Sequence, residues 1–74
     1  MQSSSTQTIT IVVNGERKAV PDGLSVLELL RVLDIEPARV AVELNRSIVR
    51  RPEWAAERVG DNAHVEIVQF VGGG

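Results

Sequence analysis

Apolar and polar residues alternate along three stretches of the chain, TITIVV, RVAVELN and HVEIVQFV, and this period of two predicts three β-strands. Two shorter stretches, ERKAV and SIVRR, predict two more. Asn14 and Gly15 form a strong signal for a two-residue hairpin turn, because both central positions of that turn need positive φ. The inward-facing residues predicted for the first and third strands are Ile9, Ile11, Val13, Val40, Val42 and Leu44.

One helix is predicted between the second and third strands. Ser25 and Glu28 fit a capping box, in which each side chain accepts a hydrogen bond from the backbone N–H of the other residue. The helix is expected to end within residues 34–37, because Pro37 disfavours helical geometry at the residue before it. A short helical turn is predicted to begin at Pro52. The apolar stripe of the main helix consists of Val26, Leu29, Leu30 and Leu33.

The order of hairpin, helix and three further strands predicts one α+β domain over residues 8–71. We expect a mixed sheet of about five strands with one main helix packed on one face, and this order and length fit the β-grasp architecture. Residues 1–7 are polar and have no hydrophobic period, so they predict a disordered lead. Residues 72–74 predict a flexible glycine tail.

Composition and charge argue against several classes of protein. The formal net charge is −2 and the only aromatic residues are Trp54 and Phe70, so the chain lacks the basic and aromatic features of a nucleic-acid-binding protein. The absence of cysteine excludes a disulfide or a cysteine nucleophile within this chain. No apolar run is long enough to cross a membrane, and the first residues do not resemble a signal peptide. We therefore expect a cytoplasmic protein.

The sequence does not predict an enzyme. Its one histidine, His64, has no evident orienting partner, and Ser25 is better explained as a helix cap. Recognisable metal-ligand spacings and phosphate-binding loops are absent, so we expect the chain to bind no cofactor of its own. Trp54 is expected to cover the core. Three arginines predict either a solvated hairpin surface or a basic patch for an acidic partner. They are Arg46, Arg50 and Arg51.

The glycines at the end of the sequence are the strongest candidate for chemistry. Gly72, Gly73 and Gly74 follow directly on the last predicted strand. Because glycine has no Cβ, such a segment can pass extended through a narrow channel and deliver its terminal carboxylate unhindered. A separate enzyme could then activate the carboxylate as an acyl-phosphate anhydride, and the tether would supply positioning. A frayed terminus is the alternative interpretation.

The last strand also predicts a partner-binding surface. Its alternation puts Val65 and Ile67 on the core face, and Val68 and Phe70 on the open face immediately before the glycines. An exposed apolar pair at the start of a reactive tail would suit a partner interface. The alternative is a register slip or bulge that turns Phe70 into the core.

Several motifs resemble the bacterial sulfur carrier proteins of thiamine biosynthesis, the ThiS family, over nearly all of residues 9–74. In chain order they are VNGE, LSVLELL, VAVELN, IVRRPEW, GD and VEIVQFVGGG. The resemblance implies a ubiquitin-like β-grasp fold and a carrier rather than an enzyme. It also implies that Gly74 is the modified residue and Gly73 the second glycine of the motif, with Gly72 an additional one.

The resemblance further implies a set of partners. A ubiquitin-activating-like adenylyltransferase would use ATP and Mg²⁺ to adenylate Gly74. Sulfur from a cysteine desulfurase would displace AMP, and the resulting thiocarboxylate would donate sulfur to a thiazole synthase. Two alternatives remain open. One is a carrier like the small subunit of molybdopterin synthase, which shares the diglycine end, and the other is a non-catalytic β-grasp binding module.

Overall fold

The computed structural model describes residues 7–70 and contains five strands, one α-helix and two short 3-10 helices. The predicted lead, apart from Gln7, and the predicted glycine tail lie outside the described residues. The strands are β1 (Thr8–Val13), β2 (Glu16–Pro21), β3 (Val40–Leu44), β4 (Ser47–Val49) and β5 (His64–Gln69). The helix α1 spans Val26–Val32, and the 3-10 helices span Pro37–Arg39 and Arg51–Glu53. Among the described residues no helix is long and apolar enough to cross a membrane.

All five strands form one mixed sheet in the order β2-β1-β5-β3-β4. The β1–β5 pair is parallel, with Val12 opposite His64 and Val13 opposite Val65, whereas the other three pairs are antiparallel. The predicted mixed sheet of about five strands is confirmed. The last strand, β5, lies in the centre of the sheet, so it has a neighbour on each side.

Both hairpins turn through two residues with positive φ. The turn between β1 and β2 has Asn14 at φ 50° and Gly15 at φ 84°, which confirms the predicted hairpin signal. The turn between β3 and β4 places Asn45 at φ 51° and Arg46 at φ 73°. Such turns match the right-handed twist of the strands they join, so they fix the register of each hairpin.

The predicted capping box begins α1. The Ser25 Oγ accepts a hydrogen bond from the Glu28 N–H at 3.1 Å, and the Glu28 carboxylate accepts one from the Ser25 N–H at 2.9 Å. These bonds lower the pKa of Glu28, first because the Ser25 backbone N–H stabilises the charged carboxylate. The helix ends at Val32 with Leu33 as its C-cap, two residues before the predicted range of 34–37, and Asp34 then adopts a φ of 60°. Leu33 is only partly buried against the core.

The core lies between α1 and one face of the sheet. Trp54 is 3% exposed, and its indole N–H donates to the Val49 carbonyl oxygen at 2.8 Å, which confirms that it covers the core. The guanidinium of Arg51 lies 5.2 Å from the centre of the indole ring. Other predicted boundaries differ slightly as well, since β4 ends at Val49 before the arginine pair and the 3-10 helix begins one residue before Pro52. The buried apolar residues are Ile11, Val13, Val20, Val26, Leu29, Leu30, Val40, Val42, Leu44, Val49, Trp54, Val59, Ala63, Val65 and Ile67.

Candidate docking site on the open face of the sheet

The two faces of β5 differ as the alternation predicts. Val65 and Ile67 are buried against the core, whereas Val68 is 58% exposed and Phe70 is 56% exposed. The ladder with β3 continues through Gln69 opposite Val40, and the Phe70 N–H donates to the Arg39 carbonyl oxygen at 2.7 Å. The backbone pairing therefore continues past the end of β5 to Phe70 without the bulge that would have turned this side chain inward, and the alternative of a core phenylalanine is wrong.

A third apolar side chain shares this open face. Ile48 on β4 is 72% exposed and lies opposite Glu43 on β3, which in turn lies opposite Glu66 on β5. Ile48 was not among the residues predicted for the partner-binding surface. The signal for it was present, because an inward Val49 leaves its neighbour Ile48 facing outward in a strand. Ile48, Val68 and Phe70 define the surface that we call the open-face patch.

Two turn asparagines hold β5 from either side. The Asn14 side chain binds both the N–H and the carbonyl oxygen of Ile67, and the Asn45 Oδ1 accepts from the His64 N–H at 2.9 Å. Both asparagines occupy turn positions with positive φ. The residues that suit the two hairpin turns therefore also make these contacts to β5. The strand that leads to the glycines is thus fixed along both edges.

The one histidine of the chain, His64, is the side chain among the described residues that would most readily serve as a general base. His64 is exposed at the start of β5, where shallow depressions lined by Asn45, Arg46, Thr10 and Arg17 meet. The hydrogen bonds found at His64 engage its backbone, not its imidazole. No group of three His, Cys, Asp or Glu side chains that could hold a metal ion occurs in this part of the chain.

The three arginines of the predicted patch lie at different points around β4. Arg51 lies over the Trp54 ring and donates to the Ala38 carbonyl oxygen at 3.4 Å, so it covers the core. Arg46 lies in the turn between β3 and β4, and Arg50 is exposed just after β4. The predicted modification site at Gly74, together with Gly73 and Gly72, lies outside the described residues and stays a prediction.

Within residues 7–70, the strand order, the α-helix on one face and the central position of β5 define the chain as a ubiquitin-like β-grasp protein. The crystal structure of a thiamine biosynthesis protein (ThiS) from Geobacter metallireducens has the same fold, with a TM-score of 0.79 and 36% sequence identity. The match covers 89% of this chain and 100% of that one. The ThiS family model matches residues 5–74. The chain belongs to the ThiS family.

The sequence relatives include a protein of similar length and two much longer ones. The sulfur carrier protein ThiS of Escherichia coli (strain K12) is 34% identical over 64 residues, which cover 86% of this chain and 97% of the relative. The thiazole synthase of Paramagnetospirillum magneticum is 39% identical over 64 residues, 86% of this chain. The chain spans only about a fifth of the length of that protein and of a second thiazole synthase, from Magnetococcus marinus.

Proposed function

We propose that this protein carries sulfur for thiamine biosynthesis on its C-terminal carboxylate. The observation that carries the proposal is the ThiS family match, which extends from residue 5 through the three final glycines. The name of the E. coli relative supports the carrier role. The same family match favours the thiamine carrier over the molybdopterin-synthase type of carrier.

The proposed chemistry takes place at Gly74 and is performed by partner enzymes. The carboxylate attacks the α-phosphorus of ATP, pyrophosphate leaves, and an acyl-adenylate forms while Mg²⁺ neutralises the phosphate charge in the partner. A persulfide supplied by a cysteine desulfurase then attacks the acyl carbon and displaces AMP. A thiol then attacks the sulfur of the desulfurase in the acyl disulfide, so that a new disulfide forms between these two sulfurs and the thiocarboxylate is released. A need for ATP and reducing thiols would place this reaction in the cytoplasm.

This chain's own contribution is presentation rather than catalysis. Gly72 and Gly73 provide a tether without side chains, so the reactive carboxylate can enter a narrow active site. The open-face patch lies at the start of that tether and would dock the domain on the adenylyltransferase. Docking would convert the reaction of the tail into an effectively intramolecular one, which is where the gain in rate arises.

A thiazole synthase is the proposed acceptor of the sulfur. Support comes from the two thiazole synthases in which a segment similar to this chain makes up about a fifth of the protein. Such a segment within one polypeptide would keep a carrier at high effective concentration near its synthase. A separate carrier such as this chain must instead reach the synthase by binding.

Intact-mass spectrometry tests the proposal directly. The protein is incubated with an adenylyltransferase of the ubiquitin-activating type, ATP, Mg²⁺, cysteine desulfurase and cysteine. We expect a mass increase equal to the exchange of one oxygen for sulfur, located in the C-terminal peptide. Sulfur found elsewhere, with the tail still a plain carboxylate, would contradict the carrier function.

A variant with extra residues after Gly74 is the matched control. It has the same domain and patch but no free glycine carboxylate, so we expect it to bind the adenylyltransferase and to gain no sulfur. A non-catalytic binding module, the competing function, would keep its biological activity with this extension. Complementation of a thiamine-requiring strain therefore separates the two functions.

A further inference from the structure

Two carboxylates face each other on the open side of the sheet. Glu43 on β3 and Glu66 on β5 are directly opposite in the antiparallel register, and both are exposed. Like charges in this position destabilise a sheet, because directly opposite Cβ atoms are only about 5 Å apart. The one ion pair found within residues 7–70 joins Lys18 to Glu16 on β2, so neither carboxylate of the opposed pair is neutralised there.

The acidic pair lies within the open-face patch. Ile48 is the cross-strand neighbour of Glu43 on the other side, and Val68 follows Glu66 by two residues on the same face of β5. Phe70 continues that row toward the glycines. The surface thus combines exposed apolar side chains, whose burial is favourable, with two carboxylates. Burying these carboxylates would cost hydration free energy unless a cation of the partner compensated for it.

Charge determines which kind of surface can cover this face. A second copy docking face to face would bring another Glu43–Glu66 pair against the first, which adds like-charge repulsion to the interface. A partner with a cationic side chain at the matching point would instead relieve the repulsion. Arginine fits better than lysine, because its planar guanidinium has five N–H donors and can bond two carboxylates at once.

We infer that the adenylyltransferase docks on this face and places an arginine guanidinium between Glu43 and Glu66, with apolar side chains against Ile48, Val68 and Phe70. This inference rests on the proposed function, which requires that enzyme to take the tail into its active site. The surface next to the start of the tail is the one such an enzyme must cover. The acidic pair is then a recognition element. Repulsion between its carboxylates destabilises the free domain, and the arginine of the partner offsets that repulsion in the complex.

Charge-changing variants of the full chain test the inference because stability and binding should move in opposite directions. Glu43→Gln and Glu66→Gln each remove the repulsion, so the denaturant midpoint should stay the same or rise. Each should weaken binding to the adenylyltransferase about tenfold to a hundredfold, the range for a lost charge-assisted hydrogen bond. Glu43→Lys should raise the midpoint further, by pairing with Glu66, and weaken binding most.

Glu36→Gln is the matched control. Glu36 is exposed, its side chain makes no capping hydrogen bond at the 3-10 helix that it precedes, and the substitution changes net charge equally. We expect its dissociation constant to stay within about twofold of wild type, as for an exposed surface charge without an opposed carboxylate. The double variant Glu43→Gln, Glu66→Gln should bind only slightly less well than either single variant, because both carboxylates contact one group.

The outcomes separate this inference from the proposed function. Wild-type protein that is adenylated at Gly74, with Gln variants that bind like the Glu36 control, would overturn the inference and leave the carrier function intact. Weaker binding to the thiazole synthase alone would overturn the choice of partner. Absence of any adenylation or binding of the wild-type chain would overturn both.

Discussion

The side chain of Asn14 is hydrogen-bonded twice to the backbone of Ile67. Its Nδ2 donates to the Ile67 carbonyl oxygen at 3.1 Å, and its Oδ1 accepts from the Ile67 N–H at 2.7 Å. Strand β1 ends at Val13, so this side chain extends the parallel ladder with β5 by one more step. A residue required by the turn thereby also fixes the strand that leads to the glycines.

Replacing Asn14 by glycine should destabilise the domain by about 1–3 kcal/mol. Glycine adopts the φ of this turn easily, but it leaves two partly buried backbone groups of Ile67 without their partners. Denaturant unfolding measures the loss. Asn45→Gly is the control, because it changes the other hairpin turn in the same way and removes one exposed hydrogen bond to His64. Equal losses in the two variants would contradict the special role of Asn14.

Trp54→Phe should lower the free energy of unfolding by about 1–3 kcal/mol, since the buried Val49 carbonyl oxygen loses its donor. Thermal and denaturant unfolding of the variant provide the measurement. Arg51→Ala is the comparison, because it removes the cation above the same ring and leaves the buried hydrogen bond in place. Its loss should be smaller, about 0.5–1 kcal/mol for an exposed cation–π contact. A larger effect at Arg51 than at Trp54 would argue against this ranking.

The capping box predicts a specific dependence of stability on pH. The folded pKa of Glu28 is lowered from its usual value of 4.5, so its stabilising contribution is present above that value and lost as pH falls through the folded pKa. Glu28→Gln keeps a capping-box residue without the charge. The advantage of wild type over this variant should shrink between neutral pH and about pH 3. A difference that stays constant over this range would show that the charge has no role.

Phe70→Ala and Val68→Ala should weaken binding to the adenylyltransferase while leaving the isolated domain nearly as stable. Phe70 is 56% exposed, so its truncation should cost far less than the ~3–5 kcal/mol of a core phenylalanine. Val32→Ala is the control, because Val32 is a valine of similar exposure, 50%, on α1. Calorimetric binding and unfolding are measured on all three. Equal binding by the Val68 and Val32 variants would place the interface elsewhere.

Gly73→Val should cripple adenylation and leave the fold intact. A β-branched side chain widens and stiffens the proposed tether, and position 73 is four residues beyond the end of β5 at Gln69. Melting temperature and adenylate formation are compared with those of Gly60→Ala. An added Cβ at Gly60 meets nothing within 4 Å, so both properties should be preserved in that control. If the Gly73→Val variant were adenylated at the wild-type rate, the proposed need for a tether without side chains would be wrong.

The features that local chemistry controls were predictable from the sequence. Alternation placed Val65 and Ile67 inward and Val68 outward, and the Asn14–Gly15 turn and the Ser25 cap are signals within a few residues. The fold class followed from the order of these elements. The start of the second 3-10 helix was less well predicted, because helix ends differ little in energy from neighbouring positions.

Relationships between distant parts of the chain were not predictable in the same way. The parallel pairing of β1 with β5, the double bond from Asn14 to Ile67 and the opposition of Glu43 to Glu66 each join residues separated by a long segment. No local pattern encodes such register, which depends on how the whole core packs. The candidate docking surface therefore became complete only once the strand order was known.

The central position of β5 also has a mechanical consequence. A pull on the chain beyond Gln69 acts along β5 and loads its ladders with β1 and β3 in shear, so many hydrogen bonds resist together. An edge strand under a perpendicular load would instead peel away one bond at a time. If a partner drew the last residues into a channel, as proposed, the sheet rather than the proposed docking contacts would bear the force.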